Sequence, residues 1–187
     1  MSKGKLFVIS GASGVGKGTV LKALMAQRQD LVFSVSATTR PPREGEVDGV
    51  HYYFVTKETF EDMIQKGEFL EYDAHAANYY GTPRAQMEDK LSRGLVLLDI
   101  EPNGAKAVRE NCPDATLIFI MPPSVEDLER RLRGRGDTPE DQIRMRMERA
   151  VWEMEQRTWY DHTVVNNEVD ACAEEIMKII SAVADTN

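Results

Sequence analysis

The chain of 187 residues has only two cysteines, Cys112 and Cys172, and three histidines, His51, His75 and His162. The cysteines lie far apart and make no CxxC pair, and no Cys/His cluster has metal-ligand spacing, so a zinc-type centre is excluded on spacing. Two free thiols in a reducing compartment are the simple reading. Positive charge is also in short supply. With 31 acidic against 23 basic residues, the formal net charge is −8, which argues against nucleic acid or an anionic membrane as a partner held by bulk charge. Any anion site must be a local concentration of Lys and Arg. Long apolar runs are missing as well, and none is long enough to span a bilayer. The opening "MSKGKLFVISGASG" has an apolar run of five residues before its glycines. That is too short for a signal-peptide core and reads as a buried strand. Internal repeats and low-complexity tracts are absent, and the expected location is the cytoplasm.

What is present is an ordinary globular composition, 42% hydrophobic and 29% charged, on a chain long enough for one sizeable core. The runs "KLFVIS" (5–10), "LVLLDI" (95–100) and "ATLIFIM" (115–121) have the unbroken apolar character of parallel strands buried on both faces. "HTVVN" (162–166) reads as a last strand. Helical spacing runs over Val20 to Gln27 and Ala173 to Val183. Thr82-Pro83, Ser124 with Asp127, and Thr138-Pro139 with Asp141 have the form of helix starts. Strands alternating with helices imply an α/β layer fold with right-handed crossovers. Two segments break the alternation. Residues 34–81 form a β-rich insert with one helix at about 57–66, and residues 133–148 turn through glycines into an Arg-rich helix. Both are expected to be mobile lobes on a rigid core.

Residues 11–19, "GASGVGKGT", follow a strand and open a helix. Backbone N–H groups of such a loop converge on an anion, and the helix N-terminus adds its dipole. Gly11, Gly14 and Gly16 are expected to supply unusual φ values and close approach, and Lys17 to reach the β- and γ-phosphates. The position after the lysine, commonly Ser or Thr for Mg²⁺, is Gly18, and the hydroxyl comes one residue late at Thr19. Mg²⁺ is therefore expected on phosphate oxygens and water, which its reluctance to dehydrate permits. A second anion site is suggested by Arg40 and Arg43, followed by Tyr52 and Tyr53. A guanidinium fork suits phosphate and tyrosine hydroxyls can complete a cage, although a solvated basic loop would look alike.

"SATTRPPREGEVDGVHYYF", "ANYYGT", "LLDI" and "PPSVEDLERRLRGRG", taken with the phosphate loop, resemble the guanylate kinases in order and spacing from about residue 5 to 183. The resemblance implies a P-loop kinase core (1–33, 82–132 and 149–187) with a parallel sheet flanked by helices. It also implies a GMP-binding insert (34–81), an Arg-rich lid (133–148), ATP and GMP as substrates, and Mg²⁺. Gly11, Ala12, Ser13, Gly14, Val15, Gly16, Lys17, Gly18 and Thr19 would cradle ATP, with Arg131 and Asn166 on the adenine side. Arg40, Arg43, Tyr52 and Tyr80 would hold the GMP phosphate. Glu71 would accept from the guanine N1–H and N2 amino group, while Ser36 and Thr82 donate to O6.

Between residues 130 and 149 stand Arg130, Arg131, Arg133, Arg135, Arg144, Arg146 and Arg149. Phosphoryl transfer needs positioning and charge neutralisation more than covalent chemistry. The resemblance assigns that work to Lys17, Arg43, Arg135 and Arg146, while Arg130, Arg144 and Arg149 read as charges on a solvated helix face with Glu/Asp partners. Asp99 ends a buried strand in a Walker-B-like position, suited to orienting metal-bound water, though a helix-capping role competes. Glu101 and Asn103 stand where the family more usually has Asp and Gln, with Glu101 near the guanine amino group or metal water. Oligomeric state is left open. Two other activities fit parts of the pattern: a kinase-like module that binds phosphorylated peptides without catalysis, and a small-molecule kinase acting on a different acceptor.

Overall fold

The computed structural model describes residues 4–75, 77–134 and 139–186. The first apolar run forms β1 (Leu6–Gly11), with all six residues buried. It is followed by α1 (Lys17–Gln27), β2 (Leu31–Phe33), β3 (Ala37–Thr38), β4 (Tyr53–Phe54), α2 (Lys57–Gln65), β5 (Phe69–His75) and β6 (Asn78–Pro83). Next come α3 (Arg84–Arg93), β7 (Leu95–Asp99), α4 (Pro102–Asn111), β8 (Thr116–Met121), α5 (Val125–Arg133) and α6 (Glu140–Glu155). A 3-10 turn (Gln156–Trp159), β9 (His162–Val165) and α7 (Val169–Ala184) end the chain's regular structure. The central parallel sheet has the order β2-β7-β1-β8-β9, and a second, four-stranded sheet has the order β4-β3-β6-β5. Strands with apolar residues on both faces need cover on both, and the intervening helices supply it.

The described residues fall into two compact units. One takes in the chain up to Val8 together with Asp30–Ala115, the other Ile9–Gln29 and everything from Thr116 onward. In the first, β2 runs parallel to β7, with Leu31 opposite Leu95. The second sheet buries its own small core, in which Phe60 of α2 stacks on Phe69 (ring centroids 4.3 Å apart) and on Tyr79 (5.2 Å). Helix α4 lies along β5, where Asn111 Nδ2 donates to Leu70 O at 3.1 Å and Asn103 Nδ2 to Asp73 Oδ2 at 3.2 Å. In the second unit β8 pairs in parallel with β9, Ile118 opposite His162. Leu128 and Leu132 of α5 and Ile176 and Ile180 of α7 are fully buried.

Several boundaries differ from the sequence reading for identifiable reasons. Helix α1 starts at Lys17 rather than Val20, because Gly16 turns through a left-handed φ of 92° and hands the chain straight into the helix. Thr82 is no helix cap: it belongs to β6, Pro83 is the N-cap and α3 begins at Arg84. Helix α6 begins at Glu140 with Pro139 as its N-cap, one residue later than a start at Thr138 would give; Thr138 lies outside the described residues. Helix α7 begins four positions before Ala173, at Val169. Ser124 does cap α5, accepting from the Asp127 N–H at 3.0 Å. Asp99 is not the N-cap of α4; that position is Glu101, which makes no side-chain cap bond.

Candidate functional site

The phosphate loop belongs to the second unit. Gly14 and Gly16 have φ of 88° and 92°, a region costly for residues with a Cβ. Gly11 does not share it. Its requirement is space, since a Cβ there would lie 2.9 Å from the carbonyl oxygen of Ile120 in β8. Three neighbouring segments hold the loop by its backbone. Asn166 Nδ2 and Arg131 both donate to Val15 O, at 2.8 and 3.0 Å, while Ser13 N donates to Glu153 Oε2 at 2.7 Å. A further bond from Arg131 reaches Asn166 O at 2.9 Å. Arg131 and Asn166 are thus brought together under the loop. Asn166 is buried, and its Oδ1 finds no hydrogen-bond partner among the described residues.

Lys17 is half-buried as the first residue of α1. Gly18 and Thr19 are exposed, and nothing lies within 4 Å of where a Cβ on Gly18 would project. Arg146 is half-buried on α6, and Arg135 lies outside the described residues. Arg130 pairs with Asp127, and Arg144 is exposed, as solvated helix charges are. Arg149 is not such a charge: its Nε donates at 2.7 Å to Glu153, whose carboxylate is completely buried.

The second cluster belongs wholly to the first unit. Ser36 and Ala37 are buried at the start of β3, and the following loop carries Arg40 back over the aromatic strand β4. The Arg40 guanidinium lies 5.5 Å from the Tyr52 ring centroid, and the Tyr52 and Tyr80 rings meet edge-on at 6.1 Å. Its fork is filled by Glu46, with Nη1 and Nη2 donating at 2.9 and 2.8 Å to the two carboxylate oxygens. Arg43 donates its backbone N–H to the same carboxylate at 2.7 Å, while its side chain is exposed. Arg40 first, and then the Arg43 N–H, pull the Glu46 carboxyl down to about 2. The structure therefore brings Arg40, Tyr52 and Tyr80 together, with the carboxylate of Glu46 occupying the Arg40 fork. Glu46 went unnoticed in the sequence, where its only signal is an acid inside an otherwise basic, Pro-rich loop.

Glu71 of β5 is 5% exposed, not the surface carboxylate that an alternating strand suggests. Register explains its partner. Glu71 stands directly opposite Thr82 on β6, and Thr82 Oγ1 donates to Glu71 Oε1 at 2.6 Å. Its other oxygen lies against α4, so close that a Cβ on Gly104 would fall 2.4 Å from Oε2. Burial pushes the Glu71 carboxyl up to about 7, offset in part by the Thr82 hydroxyl and helped by Asp73 on the same strand face. Asp99 ends β7 half-buried, and half-buried Glu101 is the N-cap of α4. Gly104 also escaped sequence reading, because its role is to leave room for a residue 33 positions earlier in the chain.

Comparison with known proteins gives one consistent result. The family model described as guanylate kinase matches residues 3–183. A guanylate kinase of Prochlorococcus marinus subsp. pastoris is 47% identical over 95% of this chain and 97% of its own. One of Clostridioides difficile is 49% identical over 97% of this chain and 89% of its own. The crystal structure of guanylate kinase from Anaplasma phagocytophilum superposes with a TM-score of 0.82 at 34% identity, covering 100% of this chain and 89% of that one.

Proposed function

The chain belongs to the guanylate kinase family, and we propose that it divides the ATP-dependent phosphorylation of GMP between the two clusters just described. Glu71 reads the base. Guanine offers two adjacent donors, N1–H and the N2 amino group, to one carboxylate, whereas adenine offers a lone pair at N1. A site built for hydrogen bonds rejects a ligand lacking them by as much as ~10⁴ in favourable cases. The single hydroxyl hydrogen of Thr82 goes to Glu71, so Thr82 orients the carboxylate, and O6 falls to the Ser36 hydroxyl instead of being shared between them. Arg40, Arg43, Tyr52 and Tyr80 take the GMP phosphate, with Glu46 holding Arg40 in place beforehand. Glu101 lies near the guanine amino group.

On the other unit the loop residues Gly11 to Thr19 hold the triphosphate. Lys17 reaches the outer phosphates, and Arg135 and Arg146 neutralise the charge that develops on the transferring group. The unpartnered Oδ1 of Asn166 is an acceptor suited to the adenine amino group, with Arg131 bracing the same corner. No general base is required, because the acceptor is a phosphate oxygen already ionised at neutral pH. Among the described residues no group of three acids, histidines or cysteines could hold a metal. Bound Mg²⁺ would be carried by phosphate oxygens and water, which its reluctance to dehydrate permits, with Thr19 and Asp99 the residues expected to act through water, and it would supply further charge neutralisation. The free thiols of Cys112 and Cys172 suit the reducing cytoplasm.

The buried Glu71 carboxylate, held by Thr82, is the observation that carries this reading. A coupled assay of ADP release, run with GMP, dGMP, AMP, CMP and UMP, tests it. Turnover is expected with GMP and to be negligible with AMP, and comparable rates on the two would refute the base-reading role.

A further inference from the structure

Glu153 holds no substrate group in the two clusters as described, yet it is the most completely buried carboxylate among the described residues, with 0% exposure. Removing a carboxylate from water costs several kcal/mol and persists only where hydrogen bonds and a counter-charge offset the loss. Its position adds to that cost. It sits in the last turn of α6, where the negative end of the helix dipole repels an anion. The structure supplies compensation from two sides. Ser13 N donates to Oε2 at 2.7 Å, and Arg149 Nε donates to Oε1 at 2.7 Å. Both are short, charge-assisted bonds. The first partner is a backbone amide of the phosphate loop. The second lies one helical turn earlier on α6, the helix that carries Arg146.

We propose that Glu153 is a positioning residue for the phosphoryl donor: one carboxylate holds the Ser13 N–H and the Arg149 guanidinium together, so that the phosphate loop and the arginine-bearing helix α6 are set as one piece. Two other segments pin the same loop at Val15 O, through Asn166 and Arg131. Glu153 is the tie on its leading half, before Gly14. A cradle whose amides must be ordered each time the phosphates bind loses affinity, and a tie at the Ser13 N–H sets that ordering beforehand. Arg149 is accordingly a half-buried counter-charge to the loop's anchor.

The inference rests on the reading that residues 11–19 hold the phosphates of ATP, and the test keeps the two apart. Glu153→Gln is nearly isosteric and retains one acceptor oxygen, but its amide nitrogen cannot accept, so one of the two bonds is lost. Arg149 is 34% exposed and can turn to water, so the fold should survive with a melting temperature within a few degrees of the parent's. The expected result is a KM for ATP raised about tenfold with a reduced kcat, and a KM for GMP within about twofold of the parent's. Because both changes act on one linkage, Arg149→Met combined with Glu153→Gln should be no worse than the more severe single variant. An unchanged KM for ATP, parallel rises in both KM values, or additive losses in the double variant would each overturn the proposal. Should Glu153→Gln fail to fold, Arg149→Lys keeps the charge and loses the guanidinium Nε–H. The same split between the two KM values is then required of it, and its absence sinks the idea. Lys17→Ala is the control. If it leaves ATP binding intact, the loop assignment itself falls; if it abolishes binding while Glu153→Gln does nothing, only the present inference falls.

Discussion

Glu71 and Thr82 face each other across the β5–β6 pair, and the Thr82 hydroxyl donates to the buried carboxylate at 2.6 Å. This fixes the direction in which Glu71 points while leaving it expensive to ionise.

One consequence is a pH dependence confined to one substrate. The Glu71 carboxyl is raised to about 7, chiefly by burial. In the proposed base-reading role it must be ionised to accept both guanine donors, which would couple GMP binding to loss of that proton. Below pH 7 each unit of acidification should cost up to about tenfold in kcat/KM for GMP, with a plateau above pH 7 to 8. The phosphate of GMP titrates at about 6, and Glu71→Gln separates the two, since only the phosphate step should survive in it. A wild-type profile superposing on the variant's would remove Glu71 from the titration.

The same burial predicts a gain in stability when the charge is deleted. A carboxyl raised from 4.5 in the unfolded chain to about 7 in the folded one makes the folded state bind more protons between those values. Stability from this group is thus fullest below pH 4.5 and declines as pH rises to 7. Glu71→Gln should be more stable than the parent at pH 8 by up to about 3 kcal/mol, and the advantage should vanish near pH 4. Its GMP affinity should fall and its choice of base relax. Thermal melts at both pH values check the sign.

Gly104 should tolerate no side chain. A Cβ would fall 2.4 Å from Glu71 Oε2, and crowding of this kind typically costs about 1–3 kcal/mol. Gly104→Ala is expected to raise KM for GMP and leave KM for ATP unchanged. Shortening the acid in the double variant Gly104→Ala, Glu71→Asp should recover part of the lost stability. A Gly104→Ala protein with parental GMP kinetics would show that α4 yields freely.

Gly18 should be replaceable. It occupies the first turn of α1 with nothing within 4 Å of a projected Cβ. Gly18→Ala should stabilise the protein by up to about 0.5–1 kcal/mol in denaturant titrations through helix propensity. Gly18→Ser should fold equally well and place a hydroxyl at the common Mg²⁺-ligand position of the loop. A lower Mg²⁺ requirement for turnover is expected, and a large loss of stability in either variant would mean that the loop needs glycine there.

Much of this was legible in the chain itself. The apolar runs announced β1, β7 and β8, and strict local chemistry marked the phosphate loop and the Ser124 cap, because these depend on residues a few positions apart. Short strands such as β2 and β3 carry too few residues for any period to register, and Thr82 looked like a helix cap because Thr-Pro is one in most settings. The residues missed were those whose partners no local motif announces, whether six positions away or 140. Glu46 stands out only where its carboxylate meets the fork of Arg40. Glu153 stands out only where the Ser13 N–H is set against it.

Sequence by itself determined which atoms could bind anions and read a purine, since residue type and local spacing dictate charge, donors and the turns that glycine permits. Only the tertiary structure decided which carboxylates lose their water. Burial depends on strand register and helix approach, and these bring Glu71 against Gly104 and Glu153 against Ser13 from 33 and 140 positions away.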